Sequence, residues 1–125
     1  MAASPQSSRT VVLPHDEVVL AVVGEKLLDD RACKALHDAV LPAAEARRRP
    51  VVLDMSHVRY LPSLAIGALT SLRNELMRSG RTMTMIHVQP PVRQVLAVTR
   101  MDRVFALSET LETALTKLHA SAGRA

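Results

Sequence analysis

The side chain best placed for chemistry is the hydroxyl of Ser63. It stands in Val51-Val52-Leu53-Asp54-Met55-Ser56-His57-Val58-Arg59-Tyr60-Leu61-Pro62-Ser63-Leu64-Ala65-Ile66-Gly67-Ala68-Leu69, where a β-branched run gives way to an amphipathic one. A serine at a helix start can accept a phosphoryl group, because free N–H groups and the helix dipole accommodate the added charge of about −1.5 to −2. It can instead cap the helix, which is worth about 1 kcal/mol. Residue type alone favours the cap, although Ile66 in place of Glu leaves the reciprocal capping box absent.

Other chemistries lack their residue sets. The five histidines (His15, His37, His57, His87, His119) have no metal-ligand spacing, and the one cysteine, Cys33, is distant from them in sequence. Neither a Gly-x-Ser-x-Gly elbow nor a Gly-x-x-x-x-Gly-Lys phosphate loop is present. Asp54 closes a strand, but one carboxylate makes no general acid–base pair, and its expected role is to cap the following loop. The chain reads as a non-enzyme with no metal and no cofactor.

Composition narrows the class further. At 125 residues the chain is one domain, and its 48% hydrophobic content supplies a core. No apolar run approaches the roughly 20 residues of a membrane span. The start, Met1 to Arg9, lacks the basic-then-apolar pattern of a secretory signal and reads as a disordered lead. A single cysteine cannot form an internal disulfide, which points to the cytoplasm. The net charge of +4 is spread along the chain, with one cluster at Arg47-Arg48-Arg49 and only Tyr60 and Phe105 as aromatics. A solvated basic surface explains this better than direct nucleic-acid binding.

The elements that position Ser63 follow from periodicity. Val11 to Leu13, closed by Pro14, and Val18 to Val23 suggest an antiparallel hairpin. A helix starts at Asp29 or Asp30, with Ala32, Ala35, Leu36, Ala39 and Val40 as its apolar face, and Pro42 is expected to break or kink it. Val51 to Asp54 is a central strand. The next helix runs from about Ser63 to Ser79, with Ile66, Leu69, Leu72, Leu76 and Met77 inward, and stops at Gly80. Thr82 to Val88 forms a strand, with Met83 and Met85 as core fillers. Pro90-Pro91 opens a helix through Val98, Val104 to Ala106 is a brief strand, and Ser108-Glu109 begins a last helix facing inward through Leu111, Ala114, Leu115 and Leu118. Strands alternating with helices demand a mostly parallel sheet. The fold class is therefore α/β: a single domain over 11–120, with about five strands in a mostly parallel, mixed sheet and about four helices, between a disordered lead at 1–10 and a disordered tail at 121–125.

In the Val51–Leu69 stretch the chain resembles the STAS domain of bacterial anti-sigma-factor antagonists. That family carries Asp-Ser-x-Gly-Leu-Gly-x-Leu at a helix start, and a partner kinase phosphorylates its serine. Pro62-Ser63-Leu64-Ala65-Ile66-Gly67-Ala68-Leu69 matches it, with Pro62 in place of the aspartate and Ala65 in place of the first glycine. Arg78-Ser79-Gly80-Arg81, Pro91-Val92-Arg93-Gln94-Val95-Leu96, Met101-Asp102-Arg103-Val104-Phe105 and Gly24-Glu25 extend the likeness. The resemblance implies a STAS-like fold and a signalling module that docks an anti-sigma factor of the serine-kinase type. Docking would use Arg59, Tyr60, Leu61, Pro62, Ser63, Leu64, Ala65, Ile66 and Gly67, with phosphorylation of Ser63 as the switch. Gly67 within a helix suggests close packing on the sheet, and Ala65 with Ala68 a small-residue surface open to a partner's backbone. The alternative is a constitutive STAS-type scaffold, self-associating as a homodimer or binding another signalling protein. A nucleotide- or small-molecule-binding domain is a third reading.

Overall fold

A computed structural model describes residues 10–15 and 17–123, with side chains as far as His119. Residues 1–9 of the expected lead over 1–10 and the last two residues of the expected tail lie outside the described residues. Val11–His15 (β1) and Val18–Val22 (β2) form the expected antiparallel hairpin, in register from Val11 opposite Val22 to His15 opposite Val18. β1 runs on through Pro14, which a sheet tolerates because β1 is an edge strand. Val51–Asp54 (β3), Met83–Ile86 (β4) and Ala106–Ser108 (β5) continue the sheet in parallel, giving the order β1-β2-β3-β4-β5. The architecture is the expected α/β mixed sheet.

Helices cover both faces. Asp30–Arg47 (α1), Ser63–Arg78 (α2) and Pro90–Val98 (α3) share one core with the sheet, and Leu111–Gly123 (α4) lies on the other side. Strand alternation divides the side chains between them: Val19, Ala21, Val51, Leu53, Met83 and Met85 enter the larger core, whereas Val18, Val52 and Ile86 meet Ala114, Leu111, Leu115 and Leu118 of α4. This double cover makes β4 buried at every position and β3 a near-continuous apolar run.

Several boundaries differ from the sequence expectation. α1 passes through Pro42 without breaking. Pro42 removes only the donor to the Asp38 carbonyl, and both residues are on the exposed side, where water can satisfy it. The Asp29 carboxylate caps α1, accepting the Ala32 N–H at 2.9 Å. α2 buries Ala65 with Leu69, Leu72 and Leu76, whereas Met77 is exposed. Gly80, at φ +77°, terminates α2 as expected, since a left-handed residue suits glycine. β4 is shorter than Thr82 to Val88 because His87 takes φ +54°. The expected strand at Val104–Ala106 lies two residues later. A 3-10 turn at Met101–Arg103 carries the chain inward, and the Phe105 N–H bonds the Met101 carbonyl at 2.9 Å, so Val104 and Phe105 serve the turn. α4 starts after Thr110, whose hydroxyl accepts the Thr113 N–H at 3.1 Å, rather than at Ser108. Its helix includes residues 121–123 of the expected tail.

Cys33 is buried on α1 with its thiol directed to the Leu28 carbonyl at 3.7 Å. Burial, reinforced by the Asp30 and Asp29 carboxylates, pushes this thiol from 9.0 up to about 11. The unfolded chain therefore ionises first. Stability that is fully present below pH 9.0 declines as the pH rises through about 11. Urea unfolding across that window is expected to show the decline, and Cys33→Ala to flatten it.

Candidate functional site

The C-terminal ends of β2, β3 and β4 define one edge of the sheet, and α1 and α2 begin there. Two loops meet at this edge, 23–29 after β2 and 55–62 after β3. They are joined by main-chain bonds: Leu28 N–H to the Tyr60 carbonyl at 3.1 Å, Arg59 N–H to the Lys26 carbonyl at 2.8 Å, and Tyr60 N–H to the same carbonyl at 3.0 Å. Leu27 and Tyr60 form an isolated parallel bridge. Asp54 caps its loop as expected, accepting the Ser56 N–H at 2.9 Å. Buried Met55, Val58 and Leu61 anchor the second loop from beneath. The junction is thus a pinned surface, because main-chain bonds join its two loops and Met55, Val58 and Leu61 are committed inward.

The helix start is built differently from either simple expectation. Pro62 is the N-cap residue of α2, at φ −70° and ψ 163°, and no side chain caps the helix. The Pro62 carbonyl accepts the Ala65 N–H at 2.9 Å. Ser63 is the first helical residue, so the reading of Ser63 as a plain cap is overturned: a cap must precede the first turn, and proline holds that place. The serine is exposed. No acidic residue stands in the first turn of α2.

The predicted contact residues separate by face. Arg59, Tyr60, Ser63, Leu64 and Gly67 are exposed, with Tyr60 at 63% and Leu64 at 54%. Pro62 and Ile66 are half-buried, and Ile66 packs against the core. Leu61 and Ala65 are buried, at 6% and 0% exposure, and belong to the core rather than to a contact surface. The helical period turns Ala65 inward with Leu69, whereas Ser63 and Gly67 share the outer face. Ala68 is half-buried against the core, so no small-residue surface forms with Ala65.

Gly67 is not a close-packing residue either. A β-carbon added there would meet nothing within 4 Å. Gly67→Ala is therefore expected to raise the unfolding free energy by about 0.5–1 kcal/mol, read as a higher melting temperature. A lower melting temperature would refute the open-face assignment.

Sequence reasoning missed Leu27, exposed at 48%, which joins the surface through its bridge to Tyr60. It also missed an open groove of about 580 Å³ between the loops, lined by residues 24–27, Asp29, Ser56, His57 and Arg59. No local pattern signals a pairing between loops so far apart in the chain. Among the described residues, no three or more His, Cys, Asp or Glu side chains are grouped to hold a metal ion. His37 instead faces Glu75 at 3.2 Å, and His119 faces Glu17 at 2.6 Å. No helix among the described residues is long and apolar enough to cross a membrane.

Comparison with known proteins agrees with this fold. A STAS-domain-containing protein of Pseudomonas aeruginosa is 29% identical over 92 residues, spanning 74% of this chain and 88% of that protein. The structure of an anti-sigma factor antagonist from Mycobacterium paratuberculosis superposes with a TM-score of 0.75 at 28% identity, covering 94% of this chain and 99% of the other. An anti-sigma-factor antagonist (STAS) domain protein from Planctomyces limnophilus shares the fold, with a TM-score of 0.77 at 21% identity and coverage of 88% and 97%. The family model described as "Mlab, STAS domain" matches residues 10–116, and the chain belongs to this STAS-domain family.

Proposed function

We propose that the chain is a non-enzymatic regulatory module that docks an anti-sigma factor of the serine-kinase type in the cytoplasm. Docking uses the exposed residues of the 59–62 loop and the first turns of α2, and phosphorylation of Ser63 releases the partner. The observation that carries this reading is the exposed Ser63 hydroxyl at the first position of α2, free of a capping role and set among exposed Tyr60, Leu64 and Gly67. A phosphate there meets the positive end of the helix and no acidic residue of its first turn. On the partner's side the added charge opposes association through repulsion and desolvation.

Incubation with the kinase partner and ATP, followed by mass spectrometry, is expected to find phosphate on Ser63. Ser63→Ala should bind the partner like the parent chain, and Ser63→Asp should weaken binding at least about tenfold. Phosphate elsewhere, or none, would reject the switch. A second reading, a constitutive STAS-type scaffold, is favoured by Pro62, which occupies the place of the family's aspartate beside the serine. In that case Ser63→Asp binds as well as the parent.

A further inference from the structure

We propose that the sheet edge opposite Ser63 is a docking surface for the anionic face of a phospholipid bilayer. Each of α1, α2 and α3 ends at this edge, where the next parallel strand begins, so residues spread along the sequence converge there. Arg47 to Arg49 lead into β3, Arg78 and Arg81 into β4, and Arg100 and Arg103 into β5. Adjacent strands lie about 4.8 Å apart, inside the Debye length of about 10 Å at roughly 0.1 M salt, so the three links act as one patch. Exposed Arg47, Arg48, Arg78, Arg100 and Arg103 make no ion pair among the described residues. The described acids at this edge are Glu17, Glu45, Glu75 and Asp102, and the sequence adds Asp16. Glu17 and Glu75 are engaged, facing His119 at 2.6 Å and His37 at 3.2 Å. The edge is left with an excess of positive charge.

Helix carboxyl ends attract cations, which accounts for arginine here but not for its backbone positions. Each of the three helices is followed by a left-handed residue: Arg48 at φ +54°, Gly80 at φ +77° and Arg100 at φ +62°. Glycine is the unstrained occupant of that conformation, and α2 uses it. After α1 and α3 the chain instead holds arginine at a strained position and leaves the side chain exposed. Strain kept for the sake of a side chain marks a surface used for binding. Guanidinium groups grip phosphate oxygens in a bidentate fork, which suits phospholipid headgroups. The same edge exposes Met77, Val98 and Val104, at 48%, 75% and 36%, close in sequence to Arg78, Arg100 and Arg103. Aliphatic side chains among cations gain by entering the acyl boundary of a bilayer and gain nothing on a phosphodiester backbone. The links offer no exposed aromatic ring to stack on a base. Seated on a bilayer by this edge, the chain turns Ser63 toward solvent, where a partner can reach it.

The test mixes the full chain with phospholipid vesicles and reads the bound fraction by sedimentation. Phosphatidylcholine vesicles containing about one-third phosphatidylglycerol are expected to bind at least about tenfold more tightly than pure phosphatidylcholine. That binding should vanish at about 1 M salt, where the Debye length is about 3 Å. The Arg48→Gly/Arg100→Gly variant should lose at least about fivefold in vesicle affinity while its melting temperature holds or rises, because glycine relieves both left-handed positions. A lower melting temperature with unchanged vesicle binding assigns both arginines to the fold and overturns the proposal. The Met77→Ser/Val98→Ser variant, altered only at exposed side chains, should weaken vesicle binding at least about fivefold. Parent-like binding by that variant would overturn the bilayer assignment. So would equal binding to the two vesicle types, or tighter binding to double-stranded DNA than to the anionic vesicles at equal phosphate concentration. Ser63 lies at the far edge of the sheet, so these results stand apart from the partner-docking reading.

Discussion

Leu53→Ala is expected to lower the unfolding free energy by about 2–5 kcal/mol, seen as a fall in the urea midpoint at unchanged slope. Leu53 is fully buried in the middle of β3, paired with Ala21 on one side and Met85 on the other. Its side chain enters the core shared with α1 and α2. The flanking strands are held by their ladders, so the cavity cannot collapse by moving one of them. A loss of that size is a large share of the roughly 5–15 kcal/mol that separates native from unfolded states. An unchanged midpoint would refute the placement of β3 at the centre of the core.

The Tyr60→Ala/Leu64→Asp variant is expected to lose at least about a hundredfold in affinity for the proposed kinase partner, or about 2.8 kcal/mol. Both side chains are more than half exposed, so the folded chain gives up little packing when they are replaced. Aspartate near the start of α2 is also favoured by the helix dipole. The melting temperature should therefore stay near that of the parent while binding collapses. This is the opposite signature to Leu53→Ala, which removes stability from residues that touch no partner. Titration calorimetry with the purified partner reads the affinity; an unchanged value would move the docking surface away from this edge.

Much of the fold was legible because it depends on period and punctuation. The β3 run, the spacing of Leu69, Leu72 and Leu76, and the stop at Gly80 are local patterns with local causes. The start of α1 at Asp29 or Asp30 follows the same logic. The misread boundaries share a cause of the other kind. Pro42 stays helical because the Asp38 carbonyl that it leaves without a donor is on the exposed side, and Val104-Phe105 forgoes a strand because Phe105 is drawn into the core behind a 3-10 turn. Propensity describes what a segment prefers alone, and burial elsewhere overrides it.

The strand–serine–helix junction shows the division most clearly. The amino-acid sequence by itself determined that Ser63 begins an amphipathic helix after a buried strand, and that Pro62 and Ala65 depart from the family motif. Those facts need only residue order and side-chain chemistry. The tertiary structure alone decided which of the nine predicted contact residues face outward, that proline rather than serine holds the cap, and that Leu27, Lys26 and His57 join the surface. Rotation of α2 about its axis is set by packing against the sheet, and the union of the two loops is set by hydrogen bonds between segments distant in sequence. Neither quantity is written in any local stretch of the chain.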